Sequence, residues 1–272
     1  MESLTPEFLQ GHDIEESVYR ADSAWAASDL KYGISNGLEA LHTRKFGKNN
    51  PPRIATPAMK FGSMIHKFVL EPTSFPDSYA LLDDKRSKKG KETALALQEG
   101  GIQTFTTPEM DQMLGMHNAL SKNNFVKKYV LDDTSGKAEQ SFWWTHKATG
   151  LSCKCRSDYV VDDMVIDLKT CGEGGASPDK FTKAIVNFKY HLAAAHYLQG
   201  TGAKKFVFIA VEKVFPYSVG IYQLSPHFIE KGYELQEQTL QEILEATKSK
   251  YWRGYTNACP SGIQTLTPPK WI

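Results

Sequence analysis

The chain has 272 residues, of which 41% are hydrophobic and 23% are charged, values typical of a globular protein with a substantial core. Its 32 basic and 31 acidic side chains nearly cancel, so overall charge alone indicates no particular partner. No apolar run approaches the about 20 residues that a membrane helix requires. The N-terminus is polar and acidic, unlike a signal peptide, and four cysteines are too few for a disulfide scaffold. These features exclude a membrane protein and a disulfide-rich secreted protein, and they predict a cytoplasmic one.

The first half of the chain is predicted to be mainly helical over residues 28–138, after a loosely ordered segment at residues 1–27. Apolar residues recur at helical spacing in three stretches, which are Ser28–Lys45, Ala58–Leu70 and Glu109–Lys122. Residues 83–93 are hydrophilic and rich in lysine. We therefore expect residues 83–93 to form an exposed, mobile loop.

The second half changes character at residue 139, where segments rich in β-branched and aromatic residues begin. The predicted strands are Glu139–His146, Leu151–Val161, Met164–Lys169, Lys205–Val211 and Ser218–Leu224. The predicted helices are Pro178–Leu198 and Phe228–Tyr251. This order predicts a mixed α/β fold with one central sheet flanked by helices. We expect a single domain over residues 1–272, with its core at 139–252 and a C-terminal tail at 253–272.

Two carboxylates and a lysine are predicted to converge on the second and third of these strands. Because successive side chains of a strand point to opposite faces, Asp167 and Lys169 share one face and Leu168 lies behind them. A hairpin turn after the second strand would bring Asp158 beside Asp167. This arrangement suits phosphodiester hydrolysis, since carboxylates bind Mg²⁺, the metal activates water and an ammonium offsets charge in the transition state.

An Asp-x-Lys pair also has a simpler interpretation as a solvated ion pair on an edge strand. Here Val165 and Ile166 precede the pair and Leu168 separates its two members. These apolar neighbours favour a central strand, where charged side chains are rare unless they are paired or used. Together with the upstream Asp158, they make a catalytic centre the favoured hypothesis.

The segments Cys153–Asp158 and Ile166–Thr170 contain the acidic groups and the lysine of this centre. Upstream, Thr56–Pro72 has a Gly-x-x-x-His pattern followed by Leu-Glu-Pro, and downstream Phe188–Tyr197 belongs to a predicted helix. Together with Ser28–Lys31, these segments resemble the RecE-type exonucleases (exonuclease VIII family), a branch of the PD-(D/E)-x-K nuclease superfamily. The resemblance implies a restriction-endonuclease-like core with a helical N-terminal section.

The resemblance also implies a catalytic role for each matching residue. Asp158 and Asp167 would bind the metal, and Lys169 would activate water. His66 would approach or bind a metal from its helix, whereas the residue by itself favours a helix-capping or core histidine. Glu139 would be an extra acidic ligand or a group behind the ligands, and its alternative is a surface charge at a strand end.

The implied cofactor is Mg²⁺, with Mn²⁺ as a substitute and two ions per site. The carbonyl oxygen of Leu168 would complete the set of metal ligands. One departure from the family pattern is Ala193, because the family usually has a glutamine four residues before the tyrosine that is retained here as Tyr197. The missing amide puts in doubt a contact to DNA or to the metal shell, not the core chemistry.

Basic and aromatic side chains supply candidates for binding DNA. They are Lys85, Arg86, Lys88, Lys89, Arg156, Tyr190 and Tyr197. The basic run at residues 85–89 could grip phosphates or simply keep a loop solvated. The tyrosines could stack on a splayed base, but aromatic residues on strands and helices more often pack in the core.

The function that the resemblance implies is a processive 5′→3′ double-strand DNA exonuclease, which leaves 3′ single strands for recombination by annealing. The expected partners are double-stranded DNA ends and a single-strand annealing protein. The chain itself would form a ring-shaped homo-oligomer such as a tetramer, in a bacterial or phage-infected cell. A PD-(D/E)-x-K endonuclease and a non-catalytic DNA-binding module remain as alternatives.

Overall fold

The structure is a computed structural model that describes residues 13–48, 54–133, 135–255, 261, 263 and 265–268. The predicted loosely ordered segment therefore lies partly, at residues 1–12, outside the described residues. The same is true of much of the predicted tail at 253–272. Within the described ranges, no helix is both long enough and apolar enough to cross a membrane.

Helices dominate the first half of the chain and strands enter in the second. The helices are α1 (Glu16–Ala21), α2 (Ala27–Asn36), α3 (Leu38–Phe46), α4 (Pro57–Leu70), α5 (Phe75–Ser78), α6 (Lys88–Glu99), α7 (Thr107–Ser121), α8 (Asn124–Val126), α9 (Pro178–Asn187), α10 (Tyr190–Thr201) and α11 (Pro226–Ser249), with a π-helical turn at Lys127–Leu131. The strands are β1 (Trp25–Ala26), β2 (Tyr79–Leu81), β3 (Gln103–Phe105), β4 (Lys137–Thr145), β5 (Ser152–Val161), β6 (Met164–Cys171), β7 (Lys205–Glu212) and β8 (Val219–Gln223).

The main sheet contains parallel and antiparallel strands, six of them in the part of the chain that the structure describes. β6 and β7 are parallel neighbours, flanked by the antiparallel strands β5 and β8. β4 pairs antiparallel with β5, and β1 makes a short parallel pair with residues 153–154 of β5. β2 and β3 form a separate, parallel two-stranded sheet. The predicted mixed α/β fold with a central mixed sheet is confirmed.

Helices cover both faces of the main sheet. On one face, Ile166, Leu168 and Val207 pack in a buried cluster with side chains of α4 and α7. On the other, Phe206 and Phe208 pack in a cluster with side chains of α9, α10 and α11. A strand covered on both faces is expected to be apolar along its length. The buried half of β6 follows this expectation except at Asp167, and this exception marks the site.

Two predicted helices are each divided into two. The stretch Ser28–Lys45 breaks at Gly37, which has φ of +83° and separates α2 from α3. The stretch Pro178–Leu198 breaks at Lys189, which adopts the left-handed conformation between α9 and α10. Glycine favours such a conformation, but lysine does not. Because the apolar spacing continues across Lys189, periodicity alone predicts a single helix there.

The segment at residues 13–27, predicted to be loosely ordered, instead contains α1 and β1. Lys154 fastens it to the sheet, because its ammonium donates hydrogen bonds to the carbonyl oxygens of Tyr19 (2.5 Å) and Asp22 (2.7 Å). The same ammonium lies 4.5 Å from the centre of the Tyr19 ring. These contacts come from a distant strand, so the local sequence could not reveal them.

The basic stretch at residues 83–93 is also more ordered than expected. α6 begins at Lys88, and the Ser87 side chain caps it by accepting a hydrogen bond from the backbone N–H of Gly90 at 3.0 Å. A serine cap of this kind satisfies a backbone donor at the start of a helix. The prediction of a mobile loop is therefore wrong from Ser87 onward, although Lys88, Lys89 and Lys91 are exposed as expected.

Candidate active site

The candidate site lies where β5 and β6 diverge. The two strands pair through Tyr159 and Ile166, a register that sets Asp158 opposite Asp167. Beyond this point, the same edge of β5 takes β1 as its neighbour at residues 153–154. The Asp158 carboxylate accepts a hydrogen bond from the backbone N–H of Leu168 at 2.9 Å, so this backbone donor is satisfied at the fork. The predicted hairpin thus brings the two aspartates together.

Asp167 and Lys169 form an ion pair on one face of β6, as the strand alternation predicted. Asp167 is buried, whereas about a quarter of the Lys169 side chain is exposed. Burial raises the pKa of Asp167 and the charge on Asp158 adds to the rise, while Lys169 opposes it. Burial lowers the pKa of Lys169, but Asp167 and Asp158 outweigh this effect and leave that pKa above its usual range. Lys169 is therefore held as a cation.

His66 reaches this fork from α4, the helix that packs on the opposite face of β6. Its Nδ1 lies 3.4 Å from Oδ2 of Asp158. The side chain lies within the body of α4 and is partly exposed, and its role as a metal ligand stays a prediction. Gly62, the glycine of the Gly-x-x-x-His pattern, lies one turn earlier. A Cβ there would lie 3.6 Å from Oγ1 of Thr170, an ordinary contact, so the close approach of α4 does not require a glycine.

Glu139 faces Asp158 from β4. The pairs that flank it place it opposite Asp158 in the register of β4 and β5. Its φ of +50° is unusual for a residue other than glycine and redirects its side chain. The carboxylate is fixed by Arg156, whose Nε donates to Oε2 at 2.7 Å. Burial and the charge on Asp158 raise the pKa of Glu139, although Arg156 opposes the rise.

Three of these side chains can share one cation. Ligand atoms of His66, Glu139 and Asp158 all lie within 4.8 Å of one another, a set we call the donor triad. Two carboxylates with one imidazole suit a divalent cation such as Mg²⁺ or Mn²⁺. Asp167 lies outside this set, and its carboxylate pairs with Lys169. The residues present therefore fit a divalent metal, and the assignment of Asp167 and of the Leu168 carbonyl as further ligands stays a prediction.

A cavity of about 300 Å³, here called the site cavity, opens beside the ion pair. Its walls include Asp167, Lys169, Tyr190 and Tyr197. Both predicted tyrosines thus border the site, although Tyr197 also packs against Phe206 with its ring centre at 5.9 Å. Stacking of either tyrosine on a DNA base stays a prediction.

The other predicted DNA contacts are placed differently. Arg156 lines the site cavity, but its guanidinium is engaged by Glu139, by Oγ of Ser141 (3.1 Å) and by the carbonyl of Ile14 (2.8 Å). These contacts hold neighbouring groups in place, and its predicted contact with DNA stays a prediction. Lys85 donates to the carbonyl of Thr104 at 3.0 Å.

The remaining members of the basic run, Arg86, Lys88 and Lys89, are exposed at the start of α6. Within the described ranges, none of these side chains contacts the donor triad or the ion pair. Their predicted role in gripping DNA is untested by this geometry.

Sequence reasoning missed part of the cavity wall. Glu16, Tyr19 and Arg20 of α1 line it, as does Lys31 of α2. The α1 residues carry no signal in the sequence, because they reach the cavity only through the contacts of Lys154 and Arg156. Lys31 does carry a signal in the sequence, since it is a cation next to the apolar positions of an amphipathic helix. It also belongs to the resembling segment Ser28–Lys31.

Comparisons with known proteins address the fold and the family of the chain. No curated protein matches the chain. A solved structure of a candidate exonuclease from Eubacterium rectale has a TM-score of 0.62 and 14% sequence identity, over 95% of this chain and 96% of that chain. At that identity the likeness shows a shared fold. A structure of the protein SSO0001 matches with a TM-score of 0.30 and 17% identity, over 75% of this chain and 97% of that chain, too weak a likeness to use.

The family model gives the firmest assignment. The model described as a PDDEXK-like domain of unknown function (DUF3799) matches residues 37–265, which is most of the chain. Those residues include the donor triad, the Asp167–Lys169 pair and all strands of the main sheet except β1. The sequence resemblance to PD-(D/E)-x-K nucleases, the fork of β5 and β6 and this match lead to one conclusion: the chain belongs to the PDDEXK-like DUF3799 family.

Proposed function

We propose that this protein is a divalent-metal-dependent double-strand DNA exonuclease. The observation that carries the proposal is the convergence of the donor triad and the Asp167–Lys169 pair at one fork of the sheet. Carboxylates and an imidazole can hold a divalent metal, and a lysine can orient water and offset negative charge. Metal-assisted phosphodiester hydrolysis uses groups of these kinds. The PDDEXK-like family and the fold shared with a candidate exonuclease support the same reaction class.

In this proposal His66, Glu139 and Asp158 hold Mg²⁺, or Mn²⁺ in its place. Asp167 and the Leu168 carbonyl extend the site to a second ion. A bound divalent cation polarises the phosphate and makes a water molecule more acidic. Lys169, held charged by Asp167, orients the attacking water and offsets the charge that develops on the phosphate. Arg156 keeps the Glu139 carboxylate directed at the triad.

The finer features of the proposal rest on the resemblance to RecE-type exonucleases. They are 5′→3′ polarity, processive degradation and release of 3′ single strands for recombination. A single-strand annealing protein would receive those strands, in the cytoplasm of a bacterial or phage-infected cell. Processivity would come from a ring-shaped homo-oligomer, such as a tetramer, that encloses the duplex.

The decisive experiment compares DNA with and without ends. Linear duplex labelled at either the 5′ or the 3′ end and a covalently closed circle are incubated with the protein, with Mg²⁺ or with EDTA. We expect progressive loss of the 5′ label from linear DNA in Mg²⁺, an intact circle, and no reaction in EDTA. Early loss of the 3′ label would reverse the proposed polarity.

The two alternatives give different results in the same experiment. A PD-(D/E)-x-K endonuclease would cut the closed circle. A non-catalytic DNA-binding module would leave every substrate intact while shifting the duplex in a binding assay. The intact set of Asp158, Asp167 and Lys169 favours an active enzyme over such a module.

A further inference from the structure

Lys31 is a cation in the wall of the site cavity that has no anionic partner. Its side chain is partly buried on α2 and lines the cavity together with Tyr190. Within the described ranges, its ammonium makes neither a hydrogen bond nor an ion pair. Buried charges are normally paired, so a partly buried lysine without a partner needs an explanation.

The surroundings of Lys31 are positive. Its ammonium lies 5.6 Å from the centre of the Tyr190 ring, and the Lys169 ammonium lies 5.3 Å from the same centre. Lys189, the residue directly before α10, adds a third positive charge, and its ammonium donates a hydrogen bond to Oγ of Ser35 at 3.0 Å. Burial, reinforced by Lys169 and Lys189 and opposed by Asp167, lowers the pKa of Lys31 to about 8. A bound anion would offset both the cost of burying the Lys31 charge and its repulsion by the neighbouring lysines.

The other cations that line the cavity are already engaged. Lys169 pairs with Asp167, Arg156 pairs with Glu139, and Arg20 pairs with Glu16. Among the described residues of this wall, Lys31 is thus the cation whose charge remains available to bind an incoming group. A lysine ammonium binds phosphate oxygens as a compact point charge with three donors.

We infer that Lys31 binds a second phosphate group of the DNA strand, one that enters the site cavity next to the phosphate being hydrolysed. Both ammonium groups lie over the Tyr190 ring. Lys169, which pairs with Asp167 at the strand fork, serves the reacting phosphate, and Lys31 serves its neighbour. This inference rests on the proposed nuclease function. The second phosphate has two sources, a terminal monoester on the last nucleotide and a diester within the strand.

The test compares Lys31→Met with Lys31→Arg and with a matched control, Lys183→Met. Methionine keeps the length and apolar stem of lysine without its charge. Lys183 is an exposed lysine on α9 outside the site cavity. The first measurement is the affinity for short duplexes in EDTA over a series of salt concentrations, which needs no cleavage. The second is kcat and KM for the same duplexes in Mg²⁺.

We expect Lys31→Met to weaken binding and raise KM by about tenfold, the usual effect of losing one charge-assisted hydrogen bond. The slope of log affinity against log salt should fall by about one unit, as for the loss of one phosphate contact. Lys31→Arg should retain most of the affinity, and Lys183→Met should match the parent. A purely structural role for Lys31 would change the melting temperature but not the salt slope.

Duplexes whose ends carry either phosphate or hydroxyl groups distinguish the two sources. A penalty confined to phosphorylated ends identifies a terminal monoester, and an equal penalty on both identifies a diester. Affinity, salt slope and KM of Lys31→Met equal to those of Lys183→Met would overturn the inference. Failure of the nuclease proposal would look different, because the parent would then cleave nothing in Mg²⁺ while the EDTA binding series still reported on Lys31.

Discussion

Asp167 is a buried carboxylate in a strand that is otherwise apolar around it, and its ion pair with Lys169 explains how it is tolerated. Burial of a charged group is unfavourable unless a partner offsets the lost hydration. The pair therefore holds a cation at the rim of the site cavity, and the Asp158 carboxylate nearby keeps it charged. At the scale of single residues, the proposed function depends on charges that are fixed in place before a substrate binds.

Replacing Asp167 by asparagine keeps the shape of the side chain and removes its charge. We expect the cleavage rate to fall by at least about 100-fold, because Lys169 loses the group that positions it and the second metal loses a ligand. DNA binding in EDTA should be retained. The measurement is the rate of digestion of linear duplex at saturating Mg²⁺.

The matched control for this prediction is Asp163→Asn. Asp163 also pairs with a lysine, Lys204 at 3.8 Å, but in an exposed turn. This variant should digest DNA at the parent rate. Near-parental digestion by Asp167→Asn would show that the active site is assigned to the wrong residues.

Replacing His66 by alanine tests the donor triad from its helical side. We expect at least about a tenfold loss of rate at low metal concentration, with partial recovery as Mn²⁺ is raised, because the remaining carboxylates bind the ion more weakly. The measurement is the rate as a function of Mn²⁺ concentration. His227→Ala, at an exposed position on α11, is the control.

A different outcome would reassign His66 to packing. In that case the variant would melt at a lower temperature while its folded fraction kept full activity at every metal concentration. The donor triad would then reduce to Glu139 and Asp158.

At the scale of elements, α10 joins the site cavity to the rest of the sheet. One side of the helix presents Tyr190 and Tyr197 to the cavity. Another side buries His196, whose Nε2 lies 3.1 Å from the carbonyl oxygen of Lys154 in β5 and whose ring lies 4.6 Å from the Trp144 ring. Since β5 also carries Asp158, this contact fixes the helix relative to the site.

His196 makes this contact sensitive to acid. Burial lowers its pKa from 6.5 to about 4, reinforced by His146 and opposed by hydrogen bonds to backbone groups and by Asp29. The unfolded chain therefore binds the proton more readily between pH 6.5 and 4. The contribution of His196 to the free energy of unfolding is fully present above pH 6.5 and should fall by roughly 3 kcal/mol as the pH drops to 4, for a shift of this size.

The measurement is the free energy of unfolding in urea at pH 7.5, 5.5 and 4.0, for the parent and for His196→Gln. Glutamine cannot titrate in this range and can still donate to the Lys154 carbonyl. Its dependence on pH should be flatter than that of the parent by the amount given above. Equal pH dependence in the two proteins would show that His196 is not the group responsible.

At the scale of the whole molecule, the site is assembled from elements that are distant in sequence. α4 supplies His66, β4 supplies Glu139, and β5 and β6 supply the two aspartates. Because α4 packs on one face of β6 and α10 on the other, both layers of helices must be in place to bring the donor triad and the site cavity together. A ring-shaped assembly would add a further level, in which several such cavities surround one duplex.

The proposed ring predicts the size of the particle in solution. A single chain has a mass of 30.5 kDa. We expect sedimentation at concentrations that support activity to give a homo-oligomer, with about four chains if the assembly is a tetramer. A monomer that degrades long linear DNA processively would contradict this, because processivity would then need another source.

The sequence by itself determined the chemistry of the sheet. Strand alternation placed Asp167 and Lys169 on one face, and a short hairpin brought Asp158 beside them. These relations depend on neighbouring residues and on the period of a strand, so they can be read locally. The mixed α/β fold followed in the same way, from the order of segments whose periods were clear.

Only the tertiary structure decided which distant groups face one another. The contact of His66 with Asp158, the engagement of Arg156 by Glu139 and the exposure of Lys31 to the cavity all join separate elements. The break at Lys189 is of the same kind, because its left-handed conformation is not one that lysine favours by itself. The hydrophobic period shows on which face of a helix or strand a residue lies. Which residue contacts it across that face depends on how the whole chain packs.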